Sequence, residues 1–359
     1  MNDPEIYNKA AQVLMKGGNV ALITVISTTG STPGKVGYKM LVWGKKRETL
    51  GTIGGGLVEA EVIDKAGSML PTPENRVIKI DFAGTEDNER GICGGSIEFL
   101  IETFDENSLP LFKELSTVID RGNKGVLASV ILPNKPPNKV FLQNADQLNS
   151  LSCIDLTHEI MESVKQQISQ EQPAKKTLEN GVEVFIEPIC ERPMVFIFGG
   201  GHLACHISQY AKSLNFRVTV CDDRAEFANK ERFPDADCTI CDNFETVFDK
   251  CAINKNSYIV IVTKGHKYDE IVLEQAVKTD AKYIGMIGSK RKTLTILKKL
   301  SEKGIPEKAL ARVYSPIGIS IGAVTPQEIA LSIVCELVKI RRLGRTPETK
   351  HLTIAPSNN

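Results

Sequence analysis

A strand, a glycine-rich turn, a helix and a second strand follow one another within residues 195–223. The first strand is a short apolar run, which is typical of a strand buried on both faces. The turn follows at once and contains Gly199, Gly201 and Ala204 in the spacing G-x-G-x-x-A, and the second strand ends at Asp222. This order predicts a βαβ unit in a Rossmann-like, doubly wound parallel sheet.

The residue types in this turn suit a dinucleotide. Gly199 allows a tight turn, Gly201 lets the backbone approach a pyrophosphate, and Ala204 allows close packing of helix on strand. The helix that begins beside His202 offers free N–H groups and a partial positive charge to phosphates. We expect Asp222 to accept hydrogen bonds from ribose hydroxyls. The alternative is a βαβ unit that binds no ligand.

Three neighbouring loops add candidate residues to this nucleotide site. Asp223 and Arg224 follow Asp222, and because an arginine here would meet a 2′-phosphate, the sequence leaves NAD and NADP both open. Two further loops follow predicted parallel strands at the edge where such sheets bind ligands. One contains His266, which can titrate or bind a metal, and the other contains Ser289, which would cap the helix after it.

The first half of the chain has glycine-rich loops of its own. Residues 28–35 form a loop rich in hydroxyl groups and glycine, whose backbone would make an anion-binding concavity. An ordinary Gly/Pro turn explains that composition equally well. Gly54, Gly55 and Gly56 stand between a strand and a helix, and three consecutive glycines are entropically costly. Close approach of a ligand or of another backbone segment would justify them.

Two side chains in this half are candidate ligand contacts. Glu59 lies in the first turn of the predicted helix, where it suits the helix dipole, and it would otherwise hydrogen-bond a polar heterocycle. Cys93 directly precedes Gly94 and Gly95, so we expect an exposed thiol that can ligate a soft metal or react. The competing interpretation of Cys93 is a small buried apolar residue.

A proline-bracketed segment before the first Rossmann strand marks a domain boundary. The predicted fold class is α/β, with an N-terminal mixed α/β domain over residues 1–190 and a C-terminal Rossmann-like, doubly wound parallel sheet over residues 191–344. Within the first domain, residues 155–169 are predicted as a polar helix and residues 170–176 as a solvated connector. Residues 345–359 are predicted as a mobile tail.

The overall composition limits the classes of partner. The chain of 359 residues contains 44 lysines and arginines and 44 aspartates and glutamates, so no strong basic field favours nucleic acid. No apolar run approaches the length of a membrane span, and the first residues lack a signal-peptide pattern. The nine cysteines are scattered, which fits a reducing compartment. We therefore expect a cytoplasmic protein that binds neither nucleic acid nor membrane.

The motifs together resemble the XdhC/CoxI family. The stretches that carry the resemblance are residues 29–33, 51–56 with Glu59, 93–95, 197–202, 222–224, 283–291 and 315–323. They extend over both predicted domains, whereas residues 105–190 match only loosely. Two positions depart from the pattern: many members have a cysteine where this chain has Leu57, and a histidine where it has Lys264.

The resemblance implies an accessory factor for xanthine dehydrogenase or a related molybdenum hydroxylase. Such a factor binds molybdenum cofactor (molybdopterin), protects it while its terminal sulfido ligand is installed, and helps to insert it into the apo-enzyme. By resemblance, the Cys93 thiol would contact the molybdenum, Glu59 the pterin, and the glycines of residues 54–56 the phosphate. The Rossmann domain would hold NAD(P) or the nucleotide form of the cofactor. The implied partners are the client hydroxylase and a cysteine desulfurase, and a homodimer is also expected.

Two other functions stay open at this point. The first is an NAD(P)-dependent oxidoreductase that acts on a small molecule, and the second is a regulatory protein that senses a nucleotide. An oxidoreductase needs a proton donor or acceptor near the nicotinamide, for which His266, Lys264 and Tyr268 are the candidates. We expect a chaperone that handles a cofactor rather than an enzyme that turns over a substrate.

Overall fold

The computed structural model describes residues 4–82, 94–121, 124–142, 172–189 and 192–344. Cys93, the helix predicted over residues 155–169 and the tail predicted over residues 345–359 lie outside the described residues. The chain divides into two compact units, Met1–Glu191 and Arg192–Asn359. Each unit has sheets and hydrophobic clusters of its own.

Among its described residues, the N-terminal unit contains two antiparallel sheets. The strands of the larger sheet are β1 Val20–Thr29, β2 Lys39–Trp43, β3 Glu48–Gly51, β4 Asn75–Asp81 and β5 Ser96–Phe104. They are arranged in the order β3-β2-β1-β5-β4. The strands of the smaller sheet are β6 Gly125–Ile131, β7 Asn138–Leu142, β8 Ala174–Thr177 and β9 Glu183–Ile189. Their order is β7-β6-β9-β8.

Helices cover both faces of the larger sheet. Within the part of this unit that the structure describes, the helices are α1 Pro4–Met15, α2 Gly56–Met69 and α3 Leu109–Arg121. Because successive side chains of a strand point to opposite faces, Leu22 of β1 packs in the cluster that contains α1 and α3, whereas Ile23 packs in the cluster that contains α2. This two-sided burial explains the continuous apolar run of β1.

Strand β8 corrects a prediction. The sequence predicts a solvated connector over residues 170–176, but residues 174–176 belong to β8, the edge strand that pairs with β9. The Lys175 ammonium lies 2.8 Å from the carboxylates of both Glu98 and Glu183. The strand is polar because it lies at an edge of the sheet, so its composition hid its conformation.

Two lysine–glutamate pairs are buried between strands of the two sheets. Lys39 of β2 binds Glu187 of β9, and Lys139 of β7 lies 2.7 Å from Glu102 of β5. Burial raises the pKa of the Glu102 carboxyl and lowers the pKa of the Lys39 ammonium, while the partner charges oppose both shifts. Removing one partner of such a pair costs about 3–5 kcal/mol, because the other charge is left buried.

The C-terminal unit is built on a six-stranded parallel sheet. Its strands are β10 Met194–Phe198, β11 Arg217–Asp222, β12 Cys238–Cys241, β13 Ser257–Ile261, β14 Tyr283–Met286 and β15 Val313–Tyr314. Their order is β12-β11-β10-β13-β14-β15, and every neighbouring pair is parallel. The sheet order reverses beside β10, as in Rossmann folds, which confirms the predicted fold class.

Helices lie on both faces of this sheet. They are α4 His202–Ser213, α5 His266–Ala276, α6 Lys290–Glu302, α7 Glu307–Leu310 and α8 Pro326–Leu343. Helices α4 and α8 belong to one hydrophobic cluster, and α5 and α6 belong to the other. Among the helices that the structure describes, none is both long enough and apolar enough to cross a membrane.

Candidate functional site

The predicted ligand-binding residues of the C-terminal unit lie at the carboxyl ends of four adjacent strands. Strand β10 leads into the turn at Gly199, β11 ends at Asp222, β13 leads to His266, and β14 leads to Ser289. The Gly199 N–H donates to the carbonyl oxygen of Cys221 at 2.7 Å, which ties the glycine turn to the end of β11. The parallel sheet therefore brings these predicted residues to one edge, where doubly wound folds bind ligands.

The three glycines of this turn serve different purposes. Gly199 has a φ of +109°, and a Cβ there would overlap the backbone at Val262. A Cβ on Gly200 would overlap the carbonyl oxygen of Phe227, whereas a Cβ on Gly201 would meet nothing within 4 Å. Neighbouring backbone thus requires the first two glycines, and only Gly201 faces open space. The G-x-G-x-x-A pattern assigned no role to Gly200, although the uninterrupted triple glycine was a visible signal.

The first turn of α4 borders the open side of the glycine turn. Gly201 caps this helix without a side-chain hydrogen bond, and His202 is exposed at its first position. Ala204 is buried in the hydrophobic cluster beneath, where a small side chain keeps helix and strand close. Because the first N–H groups of a helix have no intrahelical acceptor, an anion that reaches Gly201 would meet unpaired donors and the positive end of the helix dipole.

The buried side chain of Asp222 stabilises the glycine turn by hydrogen bonds. The residue is only 1% exposed, and its Oδ2 accepts a hydrogen bond from the Gly200 N–H at 2.7 Å. Its Oδ1 accepts from the backbone N–H and from Nε of Arg224, at 3.1 and 2.9 Å. Burial would raise the pKa of the Asp222 carboxyl, but the hydrogen bonds from Arg224 and Gly200 hold it below its usual value.

Arg224 is held on two sides. Its guanidinium donates to Asp222 and lies 3.7 Å from the ring centroid of Phe227. Because the Asp222 carboxylate is buried and already occupied, a contact with ribose hydroxyls would require Arg224 to move. The ribose contact of Asp222 and the 2′-phosphate contact of Arg224 both stay predictions.

An ion pair crosses the end of β10. The Lys264 ammonium lies 3.1 Å from both carboxylate oxygens of Asp223. Asp223 follows β11 and Lys264 follows β13, the two strands that flank β10 in the sheet. Lys264 also lies 4.8 Å from the ring centroid of Tyr268. Lys264 therefore bridges the loops around the glycine turn.

His266 and Ser289 border a cavity of about 630 Å³ between α5 and α6. His266 is exposed at the first position of α5. Ser289 caps α6, as predicted, by accepting a hydrogen bond from the Lys292 N–H at 3.3 Å. These two predicted residues thus line one cavity, whereas the residues of the glycine turn are not among its walls.

The glycine-rich loops of the N-terminal unit converge. A Cβ on Gly34 would overlap the Ile53 carbonyl oxygen, and a Cβ on Gly54 would lie 2.9 Å from the Gly34 nitrogen. The hydroxyl-rich loop of residues 28–35 therefore packs backbone to backbone on the triple-glycine turn. Contacts this close exclude any side chain larger than hydrogen at either position.

The third loop joins the same cluster. A Cβ on Gly30 would lie 2.9 Å from the Gly94 carbonyl oxygen, and a Cβ on Gly95 would overlap the carbonyl oxygen of Thr29. The Thr29 and Ser96 hydroxyls are also hydrogen-bonded at 2.8 Å. Three stretches that are far apart in the sequence thus form one loop cluster at an end of the larger sheet. The sequence indicated each loop separately but not their contact.

Glu59 organises the triple-glycine turn. Its Oε2 accepts hydrogen bonds from the Thr52 hydroxyl at 2.8 Å, the Ile53 N–H at 3.1 Å and the Gly55 N–H at 2.8 Å. All three bonds go to the same oxygen. Besides its place at the helix N-terminus, Glu59 therefore fixes the shape of the turn. The predicted hydrogen bond to a heterocycle stays a prediction, with Oε1 as the oxygen that would make it.

Part of this loop cluster faces open space. Gly55 and Gly56 have φ values of +79° and +72°, and a Cβ on either would meet nothing within 4 Å. The same holds for a Cβ on Gly94. An accessible glycine backbone therefore lines the cluster beside the start of α2. Within the described residues, no group of three or more histidine, cysteine or acidic side chains is placed to hold a metal ion.

Known families and proteins resemble this chain in both units. The model of the XdhC and CoxI family matches residues 13–81, and the model of the XdhC Rossmann domain matches residues 195–337. A crystal structure from Bacillus halodurans, described as a xanthine dehydrogenase, has a TM-score of 0.78 and 24% identity, and the match covers 97% of this chain and 98% of that one. This likeness shows that the two proteins share a fold.

Three relatives differ in how much of their length is matched. The uncharacterized protein YqeB of Escherichia coli (strain K12) is 32% identical over 161 residues, which are 45% of this chain but 29% of YqeB. A probable xanthine dehydrogenase subunit of Bacillus subtilis (strain 168) is 24% identical over 89% of this chain and 93% of its own length. The molybdenum cofactor insertion chaperone PaoD of E. coli is 24% identical over 94% of this chain and 88% of its own length.

The two family models describe the two parts of one kind of protein. One match falls in each compact unit, and the loops that carry the resemblance converge in the first unit and lie at the sheet edge in the second. The chain belongs to the XdhC and CoxI family.

Proposed function

We propose that this protein is an accessory factor that binds molybdenum cofactor and passes it to a molybdenum hydroxylase of the xanthine dehydrogenase type. Its family supports the proposal, and so do two relatives, PaoD and the B. subtilis protein, that match along most of their length. The observation that carries it is the convergence of three glycine-rich loops, which leaves accessible backbone at Gly55, Gly56 and Gly94.

The residues of the loop cluster fit the chemistry of this cofactor, which is a pterin with a phosphate and a dithiolene. The first turn of α2 offers N–H groups to a phosphate, and no side chain on Gly55 or Gly56 obstructs them. Glu59 retains Oε1 as an acceptor for the N–H groups of a pterin. Cys93, directly before Gly94 in the chain, would supply a soft sulfur ligand to the molybdenum.

The C-terminal unit would bind the nucleotide part of a ligand, either NAD(P) or the nucleotide form of the cofactor. The open side of Gly201 and the uncapped start of α4 favour a pyrophosphate there. Replacement of Gly201 by valine would place a branched side chain in that space. We expect nucleotide affinity, measured by calorimetry, to fall by tenfold or more in Gly201→Val. An unchanged affinity would show that the nucleotide does not bind at Gly201.

The central test is the molybdenum content of protein purified anaerobically from a cofactor-competent host. We expect the parent protein to retain molybdenum and to activate an apo-hydroxylase. Cys93→Ser should lose both properties together without a change in Tm, because serine keeps the size of the side chain but not its softness. Cys238→Ser is the matched control, since Cys238 is an exposed cysteine of the other unit.

The possible results separate the role of Cys93 from the proposed function. A folded Cys93→Ala variant that retains all its molybdenum and fully activates the apo-hydroxylase would exclude a role for the thiol. It would leave the proposal that the protein binds the cofactor unaffected. A parent protein that retains nucleotide but no molybdenum would contradict the accessory function and favour a nucleotide-dependent oxidoreductase or sensor. Sulfuration of the cofactor by a cysteine desulfurase and a homodimeric state are further parts of the proposal. Co-purification and sedimentation test them.

A further inference from the structure

We propose that the cavity between α5 and α6 binds a phosphate- or diphosphate-bearing small molecule, held chiefly by Lys267 and Arg291. This site goes beyond the proposed function, because it requires neither molybdenum nor the glycine turn. The cavity measures about 630 Å³ and is open enough for a ligand to enter from solvent. That volume exceeds what one phosphate fills, so a larger phosphorylated molecule fits.

The charges of the side chains around the cavity do not sum to zero, because positive charge is in excess. Among the described residues, four cations line it, and Glu270 is the one carboxylate in its walls. The Lys299 ammonium lies 3.2 Å from Glu270, and Lys292 binds Asp269. Glu270 is further paired with a second lysine outside the cavity, Lys303, at 3.1 Å. The negative charge near the cavity is therefore already compensated.

Two cations remain without such partners. Neither Lys267 nor Arg291 makes an ion pair with any residue that the structure describes. They face one cavity from different helices, Lys267 from the first turn of α5 and Arg291 from the first turn of α6. Like charges near each other and near the positive ends of two helices repel one another, so a bound anion would stabilise this arrangement.

The donors around the cavity suit a phosphate. The N-cap of α5 is Gly265, which provides no side-chain acceptor for the N–H groups of the first turn. Ser289 accepts from the Lys292 N–H and keeps its own hydroxyl proton for a ligand. Arg291 adds a planar guanidinium that can bind two phosphate oxygens at once. Backbone, hydroxyl and guanidinium donors of this kind recur in phosphate sites, whereas a cation would find few ligands here.

The two helices that form the cavity are joined by an ion pair before a ligand binds. Asp269 is fully buried in α5 and accepts a hydrogen bond from the Thr263 hydroxyl at 2.7 Å. It also binds the Lys292 ammonium of α6, which joins the first turns of both helices. The positions of Lys267 and Arg291 are thereby fixed at their backbones, and only their side chains need to order on binding.

The test uses inorganic diphosphate and inorganic phosphate as probes, with the full chain, in calorimetry at constant ionic strength. We expect the parent protein to bind diphosphate more tightly than phosphate. The double variant Lys267→Ala/Arg291→Ala should bind at least tenfold more weakly, since one lost charge-assisted hydrogen bond corresponds to about a tenfold change in affinity. The affinity of the parent should also fall as salt is added.

The matched control is Lys298→Ala/Lys308→Ala. These exposed lysines lie on α6 and α7 outside the cavity walls, and the control removes the same net charge. The control should keep the affinity of the parent. A parent that binds neither probe, or a control that loses as much affinity as the cavity variant, would overturn the proposal.

Two further measurements identify the source of the phosphate group. A loss of ADP affinity in Lys267→Ala/Arg291→Ala that matches its loss of diphosphate affinity would assign the cavity to the phosphate tail of the nucleotide, whereas unchanged ADP affinity would assign it to a second phosphorylated molecule. In Gly201→Val, retained diphosphate binding with lost ADP binding would confirm that the cavity stands apart from the glycine turn. Molybdenum retention by the Lys267→Ala/Arg291→Ala variant tests the accessory function separately, because that function is independent of these side chains.

Discussion

The two triple-glycine turns of this molecule look alike in the sequence but are built differently. In each turn the middle glycine donates its N–H to a carboxylate: Gly55 to Glu59 at 2.8 Å, and Gly200 to Asp222 at 2.7 Å. Glu59 comes from the helix that follows its turn, whereas Asp222 comes from the adjacent strand and is paired with Arg224. Among the residues that the structure describes, Glu59 thus has no ion-pair partner, whereas the buried Asp222 carboxylate is paired with a guanidinium.

The glycines themselves are needed for different reasons. In the turn of residues 54–56, all three have positive φ, but only the first is crowded by neighbouring atoms. In the turn of residues 199–201, the first two are crowded by other backbone segments, and the third is both uncrowded and unstrained, with a φ of −69°. The same Gly-Gly-Gly sequence therefore has two different causes. In residues 54–56 the backbone conformation requires glycine, and in residues 199–201 the neighbouring backbone segments require it.

The largest effect is expected at Gly200. Its Cβ would overlap the Phe227 carbonyl oxygen, so Gly200→Val must displace the loop after β11. We expect a loss of about 3 kcal/mol or more in the free energy of unfolding, as for severe overpacking. Urea unfolding followed by circular dichroism measures it. A loss below about 1 kcal/mol would mean that the loop after β11 moves at little cost. Contact with that loop would then not be the reason for a glycine at position 200.

The next effect is expected at Glu59. In Glu59→Ala three donors lose their acceptor, and the free energy of unfolding should fall by about 2 kcal/mol, since each partly exposed hydrogen bond contributes about 1 kcal/mol or less. Glu59→Gln keeps one carbonyl oxygen and should lose about half as much. If both variants are as stable as the parent, the carboxylate is free for a ligand and does not shape the turn.

The third prediction concerns pH. The pKa of Asp222 in the folded protein lies below its unfolded value of about 3.9, so its stabilising effect is present above that pH and is lost as the pH falls through the folded pKa. Arg224→Ala removes the charged partner and should raise this pKa. We expect a loss of about 1.5 kcal/mol at neutral pH and an acid transition that begins at higher pH.

Unfolding followed between about pH 2 and pH 7 tests this prediction, because the parent loses the stabilising effect only below the unfolded pKa of about 3.9. Arg217→Ala is the control, because Arg217 lies at the opposite end of β11 and makes no hydrogen bond or ion pair with Asp222 among the residues that the structure describes. The same acid transition in parent and Arg224→Ala would show that Gly200 alone, and not the guanidinium, holds the carboxylate ionised.

A smaller effect is expected at Gly55. Its φ of +79° is unfavourable for a residue with a Cβ, although the space around it is open. With a ψ of 179°, Gly55 lies in a region that essentially only glycine adopts, so Gly55→Ala should lose about 1 kcal/mol of stability from backbone conformation alone. Gly55→Asn should lose as much, because a ψ of 179° places Gly55 outside the left-handed helical region that asparagine tolerates. Equal stability of the alanine variant and the parent in thermal unfolding would contradict this account of the turn.

The smallest effect on stability is expected at Gly201. Its φ of −69° suits any residue, and a Cβ would meet nothing within 4 Å. Gly201→Ala should therefore change the free energy of unfolding by less than about 0.5 kcal/mol. A clear loss of nucleotide affinity in this stable variant would separate ligand binding from folding at that position. A destabilisation as large as that of Gly200→Val would contradict the conclusion that Gly200 is crowded and Gly201 is not.

The sequence predicted the parts of this molecule that depend on local pattern. The buried run of β10, the glycine turn after it and the serine cap of α6 are short-range features, and the structure has all three. Strand β8 was missed because its polar composition reflects an edge position that only the fold defines. Local pattern thus gave the Rossmann-like fold correctly but not every strand of the N-terminal unit.

The candidate sites were harder to predict because their key contacts join distant segments. Gly30 packs on Gly94, and Gly34 on Ile53, through backbone contacts that no local pattern records. Arg224 was visible beside Asp222, yet its residue type alone could not tell a ligand contact from an internal ion pair. Residue types indicate which groups can bind a ligand, and only the packing decides which of them are still free to do so.

The buried lysine–glutamate pairs of the N-terminal unit have a consequence for how it folds. Lys39 and Glu187 are 148 positions apart in the chain, and Lys139 joins Glu102 across the same two sheets. A partly folded state with only one sheet formed must keep these charges in water, so neither sheet can complete its interior alone. We expect the two sheets to form and to open in a single cooperative event, and native-state hydrogen exchange would give their central strands one common opening free energy.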